Sequence, residues 1–241
     1  IEAMKLAFAD VYRYVADAGM EVTSEQMLDE AYLAARAKLI DPNRAQDFQA
    51  GNPVQGGTIY LTAADESGMM VSFIQSNFMG FGSGCAEPSF GVSLQNRGHG
   101  FSLKPGANQV APGKRPFHTI IPAFLTKDGE PVMSFGVMGG NMQPQGHMQT
   151  LVRMLDYKQS PQAACDAPRW RFNAGLEINV EHQMDAKVVA DLRARGHQVE
   201  VINDNYQDFG AGQFIWRAGE PGHEGYVAAS DSRRDGLAAG F

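Results

Sequence analysis

Thr58 follows Gly56-Gly57 and opens a run of strand-forming residues, Thr58-Ile59-Tyr60-Leu61-Thr62. A threonine hydroxyl is a weak nucleophile until a base stands beside it. The α-amine released by cutting the Gly57–Thr58 bond would be such a base. The same residue also suits any ordinary strand start, so the reading depends on what lies downstream. Phe135-Gly136-Val137-Met138-Gly139-Gly140-Asn141 reads as a strand running into a glycine pair. Adjacent glycines let the backbone bend until successive N–H groups point at one spot, as stabilising an oxyanion requires; they equally make a tight turn.

Other residues offer less. The six histidines, His99, His118, His147, His182, His197 and His223, contain no i,i+4 pair and no cysteine partner, so no metal site is expected. Gly80-Phe81-Gly82-Ser83-Gly84 lacks the Lys-Ser/Thr that a phosphate cradle needs and reads as backbone shaping beside a pocket. Cys85 and Cys165 can pair or remain free buried thiols, and two cysteines do not define a compartment, cytoplasmic or periplasmic. Most of the 12 methionines read as core filler, although Met79, Met138 and Met142 fall near the expected site loops.

Taken in order, Thr58-Ile59-Tyr60, the stretch from Ser76-Asn77-Phe78-Met79 through Gly84, Lys114-Arg115-Pro116, Met138-Gly139-Gly140 and Ala229-Ser230-Asp231 resemble the motifs of γ-glutamyltranspeptidases. They are similar also to those of related cephalosporin or glutaryl acylases. The resemblance covers essentially the whole chain. Residues 1–57 resemble the end of that family's large subunit, and residues 58–241 its small, catalytic subunit. It implies an α+β fold, the four-layer αββα sandwich of N-terminal nucleophile hydrolases. It further implies autocatalytic cleavage between Gly57 and Thr58, no cofactor, and the large-subunit region of the same precursor as partner.

Carried over residue by residue, the resemblance makes Thr58 the nucleophile. Ser76 stands where the family has a hydroxyl-bearing threonine beside it, and Gly139 and Gly140 match the oxyanion pair. Substrate recognition departs from the pattern. Gly100 occupies the position of the carboxylate that holds the α-amino group, and Arg97 replaces its amide partner. His118-Thr119 replaces a serine pair for the α-carboxylate, and Phe78 replaces a pocket asparagine, with Asn77 adjacent as a substitute. Chemistry is retained while γ-glutamyl recognition is largely lost. The expected substrate is a small acyl amide, glutathione-like or glutaryl-like, with hydrolysis favoured over transpeptidation. The alternative from another class is an uncleaved, inactive relative acting as a binding module; the mass of the purified chain separates the two.

These residues need elements to hold them. Ile1, Met4, Phe8, Val11 and Val15 recur at helical spacing with no N-cap and no signal peptide ahead of them, so the chain is expected to begin within a longer protein. Thr23-Ser24-Glu25-Gln26 reads as a capping box opening a helix through about Leu39. Residues 40–57 read as polar loop. Hairpins are expected at 58–76, around Glu66-Ser67-Gly68, and at 119–138, around Asp128-Gly129. Helices are expected over 147–157, with Met148, Leu151, Val152 and Leu155 inward, from Ser160-Pro161, and over 185–195 with Gly196 as the stop. Strands are expected at 176–182, 198–202, 212–218 and 225–230. Runs of strands separated from blocks of helices suggest two layered sheets with helices outside. The 241 residues, 44% of them hydrophobic, can bury a sizeable core. A net charge of −7 with no basic run argues against a nucleic-acid partner, and no apolar stretch approaches membrane-spanning length.

Overall fold

The computed structural model describes residues 1–48, 57–203, 209–219 and 225–240. Residues 49–56 of the expected loop before Thr58 therefore lie outside the described residues. The elements in chain order are α1 (Glu2–Tyr14), α2 (Ser24–Met27), α3 (Glu30–Ala37), β1 (Gly57–Ala64), β2 (Met70–Phe78), β3 (Ala86–Glu87), β4 (Val92–Ser93), β5 (Ala123–Lys127), β6 (Glu130–Met138), α4 (Met142–Leu151), α5 (Pro161–Asp166), β7 (Trp170–Ala174), β8 (Glu177–Glu181), α6 (Ala186–Ala194), β9 (Gln198–Ile202), β10 (Ala211–Arg217) and β11 (Tyr226–Ser230). They sort into two compact units: residues 1–48, 96–118 and 170–202, and the remaining described residues.

In the first unit β7 and β8 form an antiparallel pair, and α6 carries the chain to β9, parallel to β8. Asp185 caps α6 through the N–H of Lys187, and Gly196, at φ +100°, ends it. Helix α1 buries Met4, Leu6 and Phe8, with the Phe8 ring 6.3 Å from that of Phe172. Lys5 is fully buried; its ammonium contacts Glu2 at 3.0 Å and donates to the carbonyl of Gln46 at 2.9 Å. The capping box forms at Thr23, but the helix expected through Leu39 is broken. Asp29 accepts from the N–H of Tyr32 at 2.8 Å and starts α3 afresh.

The second unit is layered. Strands run β11-β10-β6-β5 in one sheet, and the β1–β2 hairpin packs against it. Period-two alternation along β6 explains the layering. Met133, Phe135 and Val137 join Met154, Ala164, Cys165, Phe214 and Ala229 in the main core beneath α4 and α5. The intervening Ser134 and Gly136 face the hairpin. Gly136 is required there, because a Cβ would stand 2.5 Å from the Tyr60 ring. Below that ring a hydroxyl cluster joins the layers: Tyr60 to Ser72 at 2.6 Å, and Thr62 donating to Ser134 at 2.6 Å. The hairpin's outer face is apolar yet exposed, with Ile59, Leu61, Met69, Val71 and Phe73 each at least 45% accessible.

Several expectations need correcting. The helix expected to begin at His147 starts at Met142 and closes in a π-turn, Val152–Asp156. Leu155, expected inward, is exposed, whereas Gln143, Gln145, His147, Gln149 and Thr150 are buried. Periodicity of apolar residues misses this face because its glutamines and His147 bond backbone groups. Gln143 accepts from the N–H of Ile121 at 3.2 Å, and His147 from that of Val137 at 2.7 Å. Strand β7 and the short pair β3–β4 were not foreseen. Both cysteines are free thiols; Cys165 is buried, but Cys85 is exposed.

Candidate active site

Thr58 sits one residue into β1, at a break in the hairpin register. Gly57 pairs with Phe78 but Ile59 pairs with Gln75, which leaves Thr58 opposite Ser76 and Asn77 together. Such bulges re-aim side chains. The Thr58 hydroxyl donates to Oγ of Ser76 at 3.0 Å, and Ser76 Oγ also accepts from the N–H of Phe78 at 2.9 Å. Phe78 adopts φ +76°, an uncommon conformation for a bulky residue, as the chain leaves β2. Asn77 reaches Ser93 through its side-chain amide at 3.5 Å.

Gly139 and Gly140 take φ +126° and +57°, turning the chain sharply from β6 into α4. Their carbonyls accept from the N–H groups of Met142 and Gln143 at 3.0 and 3.1 Å. Thr119 donates its hydroxyl to the Gly140 carbonyl at 2.9 Å. The pair thus stands just ahead of the N-terminal end of α4, where the helix dipole favours negative charge. Thr58 and Met138, the residue before the pair, line one cavity of about 620 Å³. Residues 234–239 line it as well, which sequence reasoning missed. Their approach has one legible signal, Gly236, where a Cβ would stand 2.4 Å from Ser230 Oγ and 2.5 Å from Gln213 Nε2.

Arg97, Gly100 and His118 belong to the first unit. Arg97 is buried in the 3₁₀ turn Arg97–Gly100, and desolvation lowers its pKa. His118 is lowered too, first by desolvation and then by the Arg97 charge, which marks this stretch as electropositive. Asn108 ties it together, donating to the Gly100 carbonyl at 2.7 Å and accepting from the N–H of Phe117 at 2.8 Å. A Cβ at position 100 would stand 3.1 Å from the Phe117 carbonyl, so the site is closely fitted to glycine.

These features define a class: a layered α+β protein with a hydroxyl nucleophile candidate at a strand start and a bent glycine pair beyond the neighbouring strand. The family model described as gamma-glutamyltranspeptidase matches residues 1–241, and the chain belongs to that family. It is 36% identical over its whole length to the glutathione hydrolase-like YwrD proenzyme of Bacillus subtilis (strain 168), covering 46% of that protein. It is 35% identical, again over its whole length, to the oxamate amidohydrolase proenzyme of Klebsiella pneumoniae, covering 46% of it. The crystal structure of cephalosporin acylase from Bacillus halodurans superposes with a TM-score of 0.90 at 46% identity, covering 100% of this chain and 44% of that one. The fold is therefore the αββα sandwich of N-terminal nucleophile hydrolases, and the chain spans less than half the length of these relatives.

Proposed function

We propose that this chain carries the nucleophile of an autoprocessing amidohydrolase, divided by cleavage at Gly57–Thr58 into residues 1–57 and a catalytic segment, 58–241. The Thr58–Ser76 hydrogen bond at the β1 bulge carries this reading. In maturation, Thr58 Oγ attacks the Gly57 carbonyl carbon, the C–N bond breaks to leave an ester, and water hydrolyses that ester. The products are a carboxylate on Gly57 and a free α-amine on Thr58. In turnover, the amine takes the proton as Oγ attacks the substrate carbonyl. The N–H groups of Gly139 and Gly140 stabilise the oxyanion, helped by the N-terminal end of α4. Collapse expels the amine product with that proton, and water releases the acyl group.

For substrate, we propose small acyl amides that carry a carboxylate and lack the α-amine, such as glutaryl amides, with hydrolysis favoured over transfer. Gly100 offers no carboxylate for an ammonium, and buried Arg97 beside His118 favours an anion. Relatives named for oxamate and cephalosporin chemistry support this choice, since oxamate itself pairs an amide with a carboxylate and has no α-amine. The exposed apolar face of β1–β2 suits burial against the remainder of the precursor. The test is a side-by-side assay of full-length protein with glutaryl and γ-glutamyl anilides. Faster turnover of the glutaryl compound supports the reading; faster γ-glutamyl turnover, accelerated by a dipeptide acceptor, overturns it.

A further inference from the structure

Behind the glycine pair lies a buried ionic cluster that the mechanism above does not use. Arg169 and Asp231 pair at 2.7 Å with side chains only 2% and 0% exposed. Nη1 of Arg169 donates to the carbonyls of Phe209 and Gly210 at 3.0 and 3.2 Å, and Nη2 to that of Cys165 at 3.1 Å. Asp231 Oδ2 also accepts from the N–H of Gly212 at 2.8 Å. Its Oδ1 accepts from the backbone N–H and the guanidinium of Arg233 at 2.9 and 3.0 Å. Burial pushes the Asp231 carboxyl up, but Arg169, Arg233 and these N–H donors outweigh it and hold its pKa below the ordinary value.

The cluster therefore grips residues 209–212 from two sides, and those residues back the glycine pair. Ala211 pairs with Met138. A Cβ on Gly210 would stand 2.1 Å from the Met138 carbonyl, and one on Gly139 would stand 3.0 Å from the Gly210 Cα. Backbone rests on backbone with no side chain between, so a displacement of Gly210 passes directly to Gly139. A buried ion pair is a poor source of net stability compared with apolar packing, whereas a rigid support for a catalytic loop governs rate.

We propose that Arg169 and Asp231 are positioning residues for the Gly139-Gly140 oxyanion site, acting through Gly210. The proposal rests on the acyl-transfer reading above. It makes the cluster a determinant of kcat rather than of substrate binding.

The experiment compares full-length Arg169→Lys, Asp231→Asn and Gly210→Ala with wild type and with Thr58→Ala. Rates are referred to active sites titrated by acyl-enzyme formation, so that misfolded protein does not count. A boronic acid analogue of the acyl group, which forms a tetrahedral adduct on a hydroxyl nucleophile, serves as second probe. In Arg169→Lys and Gly210→Ala, kcat per titrated site is expected to fall about 10²-fold, the scale of a small misplacement of catalytic groups. KM stays within about threefold of wild type while boronate affinity falls in parallel with kcat. A loss confined to melting temperature or titrated fraction, with kcat per site and boronate affinity unchanged, overturns the proposal and leaves the nucleophile reading standing. Turnover by Thr58→Ala at the wild-type rate overturns both.

Discussion

Thr58 and Ser76 face each other across the β1–β2 hairpin at 3.0 Å, at the one place where the hairpin register slips. The slip puts the hydroxyl of the first full strand residue against a partner already fixed by the N–H of Phe78. Ser76 thereby accepts the hydrogen bond of the Thr58 hydroxyl, and in the proposed reaction the lone pairs of Thr58 Oγ are left for attack. Ser76→Ala should lower kcat about tenfold, the worth of roughly one hydrogen bond, with little change in KM. Ser76→Thr should restore it. Steady-state kinetics on matured enzyme check both; an unchanged kcat in Ser76→Ala would show the contact to be idle.

Gly140 takes φ +57° in the buried turn between β6 and α4, a conformation that a β-branched residue strains to adopt. Gly140→Val should reduce kcat by about 10²–10³-fold, the usual effect of losing one oxyanion donor. The strain also costs stability, roughly 1–3 kcal/mol for a residue held in so sparse a region. Kinetics and thermal melting of the variant measure the two effects separately. A kcat within a few-fold of wild type would reduce the glycine pair to a turn.

Burial pulls the His147 pKa down to about 3, with Arg169 adding to the shift, while its Nε2 accepts from the N–H of Val137. The neutral ring is thus part of the folded state. With the folded pKa below the unfolded one, the unfolded chain binds the extra proton, and stability present above about pH 6.5 is lost as pH falls toward 3. His147→Gln keeps an acceptor for Val137 but does not titrate. Its stability should fall less steeply between pH 6 and 4, by about 1.4 kcal/mol per pH unit, read from urea unfolding at each pH. Parallel slopes in the two proteins would contradict the assignment.

Where local chemistry decides conformation, the sequence is legible. The Asp128-Gly129 turn, with both residues at positive φ, the Ser160 cap with Pro161 behind it, and the Asp185–Gly196 helix limits all lie where turn and cap residues place them. Helix α4 was misread because its buried side is polar: Gln143 and His147 accept from the N–H groups of Ile121 and Val137, and Gln145 and Gln149 donate to carbonyls one turn back in the helix. The break at Asp29 was missed because one side chain outcompetes helix propagation there. At the candidate site, motif order alone singles out Thr58, Ser76 and the glycine pair. The register slip that aligns Thr58 with Ser76 is not, nor is the Arg169–Asp231 support, whose partners are 62 residues apart in sequence.

The account stands or falls on Thr58 becoming an N-terminus. N-terminal sequencing with intact mass measurement of purified full-length protein tests this most directly. Two polypeptides are predicted, one of them beginning Thr58-Ile59-Tyr60. Thr58→Ala should remain one uncut, inactive chain, and Thr58→Ser should cut slowly, since the hydroxyl is what the chemistry requires. An active preparation that is uncut, or that is cut at another bond, would contradict the account.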